Sequence, residues 1–161
     1  MKFIKLILLF TIILSCQNNK IDLDRENFEL TYPSYLSLDE SGEEGTIFYL
    51  YDNKENDIFT ANFNLVSIKK KSMTFLELTQ QIEKETKNYG RLISSEEMRV
   101  VGQNFFRIVM ETEENNVVLK SIQHFYPKGE SIYILTFLSE KNYFDKHYNK
   151  IDEVMMSFRL K

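Results

Sequence analysis

The sequence predicts an α+β domain, an α/β/α sandwich with a mostly antiparallel central sheet and a helix on each face. Two observations carry that prediction. Strand-length segments follow one another between residues 91 and 139, punctuated by Gly102, Asn115-Asn116 and Gly129. Such close spacing favours antiparallel hairpins. Within those segments, Phe105-Phe106-Arg107-Ile108-Val109-Met110 and Ile132-Tyr133-Ile134-Leu135-Thr136-Phe137-Leu138 do not alternate cleanly. A sheet with one wet face alternates apolar with polar residues. These strands point apolar residues both ways, so both faces need cover, and two amphipathic stretches are present to supply it.

Taken in order, the first element is a strand over Phe28 to Pro33, where Phe28, Leu30 and Tyr32 alternate and Pro33 ends the run. A turn-rich segment, Ser41 to Gly45, precedes a strand over Ile47 to Tyr51 and a turn at Asp52-Asn53-Lys54. Phe59, Ala61, Phe63 and Leu65 alternate in the next strand. Thr74 to Asn88 reads as a helix, because Thr74 and Glu77 fit a capping box and Phe75, Leu78, Ile82 and Tyr89 fall on one face. Gly90 stops it. Strands are predicted over Arg91 to Arg99, Gln103 to Thr112, Val117 to Tyr126 and Ser131 to Ser139. The last helix runs from about Asn142 to Phe158, with Phe144, Tyr148, Ile151, Met155 and Phe158 as its stripe and His147 and Val154 beside it.

The N-terminus carries an address. Lys2 and Lys5 form a basic start, and Leu6 to Leu14 is apolar except for Thr11. A membrane-spanning helix needs about 20 apolar residues. This run is shorter and ends in the polar Gln17-Asn18-Asn19-Lys20, the pattern of a cleavable secretory signal. Ile13-Leu14-Ser15-Cys16 resembles the lipobox of bacterial lipoproteins. The resemblance implies a signal peptide over residues 1–15, cleavage before Cys16, and a diacylglycerol thioether with an acylated amine on Cys16. The alternatives are an ordinary secretory signal with a chance cysteine, or an uncleaved short anchor. Several acyl chains tether a protein far better than one, at about 0.8 kcal/mol per buried CH2. No Asp follows Cys16 directly, so the expected location is an outer membrane, facing the periplasm. Residues 17–26 hold only Ile21 and Leu23 as apolar groups and read as a polar tether, which extended could span about 35 Å. The organisation expected is a signal over 1–15, the lipidated cysteine and tether over 16–26, and one domain over 27–161.

Composition excludes several classes. Cys16 is the only cysteine, so the folded part has no disulfide and no thiolate metal site. Loss of residues 1–15 removes two lysines and moves the net charge from −4 to −6. An acidic balance argues against nucleic acid as a partner and against spreading on anionic lipid.

Several segments together resemble the PsbP-like group, which includes DcrB-type bacterial lipoproteins and the Ran-binding Mog protein. These are Tyr32-Pro33 in the opening strand, Met73-Thr74-Phe75-Leu76-Glu77, the hairpins, the run Ile132 to Phe137, and the close Met156-Ser157-Phe158-Arg159. The chain departs from the group where a Trp often follows the Tyr-Pro pair, having Tyr35 and Leu36 instead. The resemblance implies a module that binds other proteins or supports an assembly, without chemistry of its own.

The remaining candidates are weighed on their chemistry. His124, in a strand, and His147, on the last helix, could join a carboxylate around a metal, but nothing in their spacing brings them together. Glu111, Glu113 and Glu114 precede a hairpin tip, and their spacing is not that of an EF-hand loop. Lys69-Lys70-Lys71 could dock an acidic partner or a phosphate, yet it reads first as a solvated connection. No Gly-x-Ser-x-Gly elbow and no phosphate-cradling glycine loop occurs. The expectation is therefore no enzyme, no metal and no cofactor. It is a lipoprotein held to the envelope through Cys16 that acts as a non-catalytic protein-interaction module on an envelope partner. The alternative is a carrier of a small ligand or lipid in an aromatic-lined cleft.

Overall fold

The structure is a computed structural model and describes residues 19–52, 60–69, 74–100 and 102–161. Cys16, the signal segment, Asn53-Lys54, Phe59, Met73 and the Lys70-Lys71 pair lie outside the described residues.

Among the described residues, seven strands form the large sheet. They are β3 (Ser37–Asp39), β4 (Thr46–Tyr51), β5 (Asn62–Lys69), β6 (Arg91–Val100), β7 (Gln103–Glu114), β8 (Val117–Lys128) and β9 (Ser131–Glu140). Their spatial order is β3-β4-β5-β9-β8-β7-β6, and every pairing among them is antiparallel. The hairpin between β7 and β8 turns on Asn115 and Asn116, both at positive φ (51° and 64°). That is the two-residue turn whose twist matches the strands it joins.

Helix α1 (Phe75–Tyr89) crosses one face of this sheet after β5, and α2 (Lys141–Ser157) returns across the other after β9. The α1 end is built as the sequence predicts. The Thr74 hydroxyl accepts from the Glu77 N–H, and the Glu77 carboxylate accepts from the Thr74 N–H at 2.7 Å. The Thr74 N–H, and then the Thr74 hydroxyl, donate to the Glu77 carboxyl and hold it below its usual range. Gly90 serves α1 by space rather than by a left-handed turn. Its φ is −175°, but an added Cβ would lie 2.3 Å from the Glu111 carbonyl oxygen. Only a residue without a side chain lets the chain pass so close to β7.

The loss of alternation in β7 has the predicted cause. Phe105 to Glu111 are all buried. Phe106, Ile108 and Met110 pack under Leu78 of α1, while Phe105 and Val109 join the core under α2. That second core is aromatic, with Phe28 against Phe48 and Phe158, Phe63 against Phe137, and Phe137 against Phe144.

Three findings differ from the sequence reading. The segment read as a tether is a strand from Lys20 onward. Strand β1 (Lys20–Asp24) pairs antiparallel with β2 (Phe28–Pro33), placing Leu23 opposite Leu30. Four of its five residues stay in water and only Leu23 is buried, which is why its composition looks like a linker. Second, β2 does not join the large sheet. It makes a small sheet of its own between β1 and β10 (Arg159–Leu160), on the side of α2. Third, Tyr89 is 79% exposed although its spacing places it on the apolar stripe of α1.

Candidate functional site

Groups with chemical potential gather around α2. The first is a groove of about 630 Å3 between the β1–β2 hairpin and the C-terminal half of α2, a size typical of ligand and peptide sites. Thr31, Tyr32 and Tyr35 line one wall, and Lys150, Glu153 and Ser157 the other. The walls are tied to each other. Lys20 pairs with Glu153. The Ser157 hydroxyl accepts from the Thr31 N–H at 3.0 Å and lies 2.9 Å from the Thr31 carbonyl oxygen. The Thr31 hydroxyl donates to Asp22 at 2.7 Å. Tyr35 stands 52% exposed at the rim, with its phenol held above the usual range by burial and then by Asp52. Asn19 also lines the groove, and its carbonyl accepts from the Ser34 N–H, so the groove lies where the chain enters the domain. Behind it, among the described residues, a void between α2 and the sheet measures only about 20 Å3. Among the described residues the buried aromatic rings pack on one another in the core.

The second group is a buried polar cluster beneath α2. Arg107 on β7 and His124 on β8 are register partners, so both point at the helix. Arg107 is 6% exposed. Its Nη2 donates to the Tyr148 hydroxyl and lies 3.0 Å from Asp152 Oδ1, and its Nε lies 3.7 Å from Glu96. His124 is fully buried, packed on Phe105 at 4.5 Å, with Nδ1 3.0 Å from the Tyr126 hydroxyl. Its Nε2 has no hydrogen-bond partner among the described residues. Burial, and then the positive charge of Arg107, push its pKa down to about 3, so the imidazole is neutral in the fold. Burial likewise pushes the Tyr126 phenol up. A neutral imidazole thus lies beside an un-ionised phenol in an aromatic stack, and Arg107 next to it supplies the ties to α2.

The candidates from sequence are dispersed. His147 sits on α2 against Tyr143, in surroundings different from those of His124. Glu111 lies within β7 and is paired with Arg91 and Lys141, while Glu113 and Glu114 are exposed near the turn. Lys69 is exposed at the end of β5. Sequence reasoning missed Arg107. Its signal was a cation inside an apolar run, which requires a buried polar partner from another element.

Two covering helices, an antiparallel sheet and a short sheet joining the two ends of the domain define an α+β domain with a PsbP-like fold. Among solved structures, the chain is similar to the cyanobacterial PsbP, CyanoP, from Synechocystis, with a TM-score of 0.64 at 13% identity over 89% of this chain and 94% of that one. It is similar to LpqN, described as involved in cell envelope biogenesis of Mycobacterium tuberculosis, with a TM-score of 0.66 at 10% identity over 88% and 90%. It is similar also to PA94 from Pseudomonas aeruginosa, with a TM-score of 0.58 at 12% identity over 86% and 95%. At these identities the likeness is one of fold. No family model matches the chain, and no curated protein matches it.

Proposed function

We propose that this protein is a lipoprotein anchored through Cys16 that works without catalysis, as an interaction module holding an envelope protein at the α2 groove. The observation that carries this reading is the position of the groove beside Asn19, a few residues after the lipobox cysteine. Because β1 begins at Lys20, no more than about 14 Å of extended chain separates that strand from Cys16. The domain then rides against the headgroups rather than clear of them, with the groove toward the membrane. The hydroxyls of Thr31 and Ser157 are committed to Asp22 and to the backbone, which suits a docking surface better than a nucleophile. The expected location is an outer membrane facing the periplasm, and LpqN, of the same fold, is tied by its description to the cell envelope.

Two measurements test this. Cys16→Ser should leave the full chain unprocessed or release it from membranes; a variant still membrane-bound at mature size overturns the anchor. A photo-crosslinking residue at Tyr35 should trap one repeatable envelope protein in cells, where the same residue at Val118, on the distant hairpin, traps none. Equal labelling from both positions overturns the groove as the docking site. A second reading, carriage of a small ligand or lipid, is favoured by the volume of the same groove. It predicts co-purifying lipid that Tyr35→Ala loses.

A further inference from the structure

Among the described residues, helix α1 covers only part of its sheet face. It packs on β6 and β7, and the face continues past it over β8, β9, β5 and β4. The strand register states which side chains lie there. One row reads Tyr49, Asn64, Thr136, Gln123 across β4, β5, β9 and β8, and the next reads Tyr51, Asn62, Leu138, Ser121. Between this floor and α1 lies a second groove of about 410 Å3.

The chemistry of this groove is specific. Ser121 and Thr136 line it at 6% and 9% exposure. Gln123 lies between them on the same face. None of the three side chains makes a hydrogen bond to another described residue. With no such bond, their polar atoms face the groove and are available to a ligand. The lining carries no lysine or arginine, and its single charge, Glu85, stands exposed on α1. Tyr89 lines the same groove with four-fifths of its surface in water, an aromatic ring free to stack.

We propose that the α1 groove binds an uncharged glycan, with Ser121, Gln123 and Thr136 bonding sugar hydroxyls and Tyr89 lying on a pyranose face. Hydroxyl and amide groups both donate and accept, as sugar hydroxyls do. The other ligand classes fit less well. An anionic ligand would meet Glu85 and no cation. A hydrocarbon chain would seal the three polar groups from water unpaired. An extended peptide is read through free main-chain groups at a sheet edge, and on this face the main chains of β8 and β9 are committed to each other. The proposal stands apart from the lipid anchor and from the α2 groove.

The test titrates the full chain in detergent with chito-, malto- and cello-oligosaccharides, following tyrosine emission and calorimetry. At least one should bind in the micromolar to low millimolar range. Tyr89→Ala, a change at an exposed site, should weaken that binding about tenfold, equivalent to about 1.4 kcal/mol, without moving Tm. Thr136→Val should weaken it similarly. Absence of binding by all three series at millimolar concentration overturns the proposal. So does binding unchanged in both variants, or a neutral peptide that binds where no glycan does.

Discussion

Acidification should loosen this domain through His124, and the size of the effect follows from its surroundings. In the fold the imidazole is neutral, with a pKa pushed down to about 3 by burial and by Arg107. In the unfolded chain it titrates near its ordinary 6.5. Between those two values the unfolded chain carries a proton that the native one does not, so stability falls with pH. The contribution is fully present above the unfolded pKa, erodes from about pH 6.5 downward at about 1.4 kcal/mol per pH unit, and is exhausted near pH 3. Between pH 7.5 and pH 5 the loss is about 2 kcal/mol. Carboxylates titrate lower in the same range, so the informative quantity is the difference between the wild type and His124→Phe, which keeps a ring against Phe105. Urea unfolding at a series of pH values should show the wild type losing about 2 kcal/mol relative to the variant across that interval. A difference that stays flat between pH 7.5 and pH 5 would refute the reasoning, because it would mean the imidazole is free to take a proton in the folded state.

Three further outcomes are expected. Arg107→Leu should cost about 2–3 kcal/mol in urea unfolding, below the 3–5 typical of breaking a fully buried pair, because Asp152 stays about a third exposed. By removing the nearby cation it should also raise the His124 titration midpoint, read from the imidazole proton shifts. Gly90→Ala should lower Tm by many degrees or abolish folding, since its Cβ would meet the Glu111 carbonyl at 2.3 Å; a wild-type melting curve would show that the α1–β6 junction is placed wrongly. Phe158→Ala should cost about 3–5 kcal/mol, because that ring is fully buried against Phe28 and Tyr126. A loss under 1 kcal/mol would mean that the small sheet does not close over the core.

How much of this was legible in the sequence depended on whether the deciding contact was local. The capping box of α1 and the Asn115-Asn116 hairpin are set by residues a few positions apart, and both stand where the spacing predicts. The two covered faces were legible because burial on both sides erases alternation, as it does from Phe105 to Glu111. Strand β1 was not legible, because Lys-Ile-Asp-Leu-Asp has the composition of a tether and becomes a strand only opposite β2. Nor was β10, two residues long, whose Leu160 is placed by pairing with Phe28 at the other end of the domain. Tyr89 follows the helical period, but α1 lies over β6 and β7 and leaves the ring of that last residue in water.

These misses concern function more than fold, because both grooves are made by contacts distant in sequence. The α2 groove exists because β1 pairs with β2, which places Asn19 and Lys20 beside the C-terminal half of α2. The α1 groove exists because a helix of fifteen residues is too narrow to cover a seven-stranded sheet. Among the described residues it leaves a strip where the hydroxyls of Ser121 and Thr136 lie beside Met110, Phe125 and Leu138. A domain of this build offers two grooves on opposite sides of the large sheet, one beside α2 and one beside α1. Since the grooves share no lining residue, Tyr35→Ala and Tyr89→Ala should affect their ligands independently.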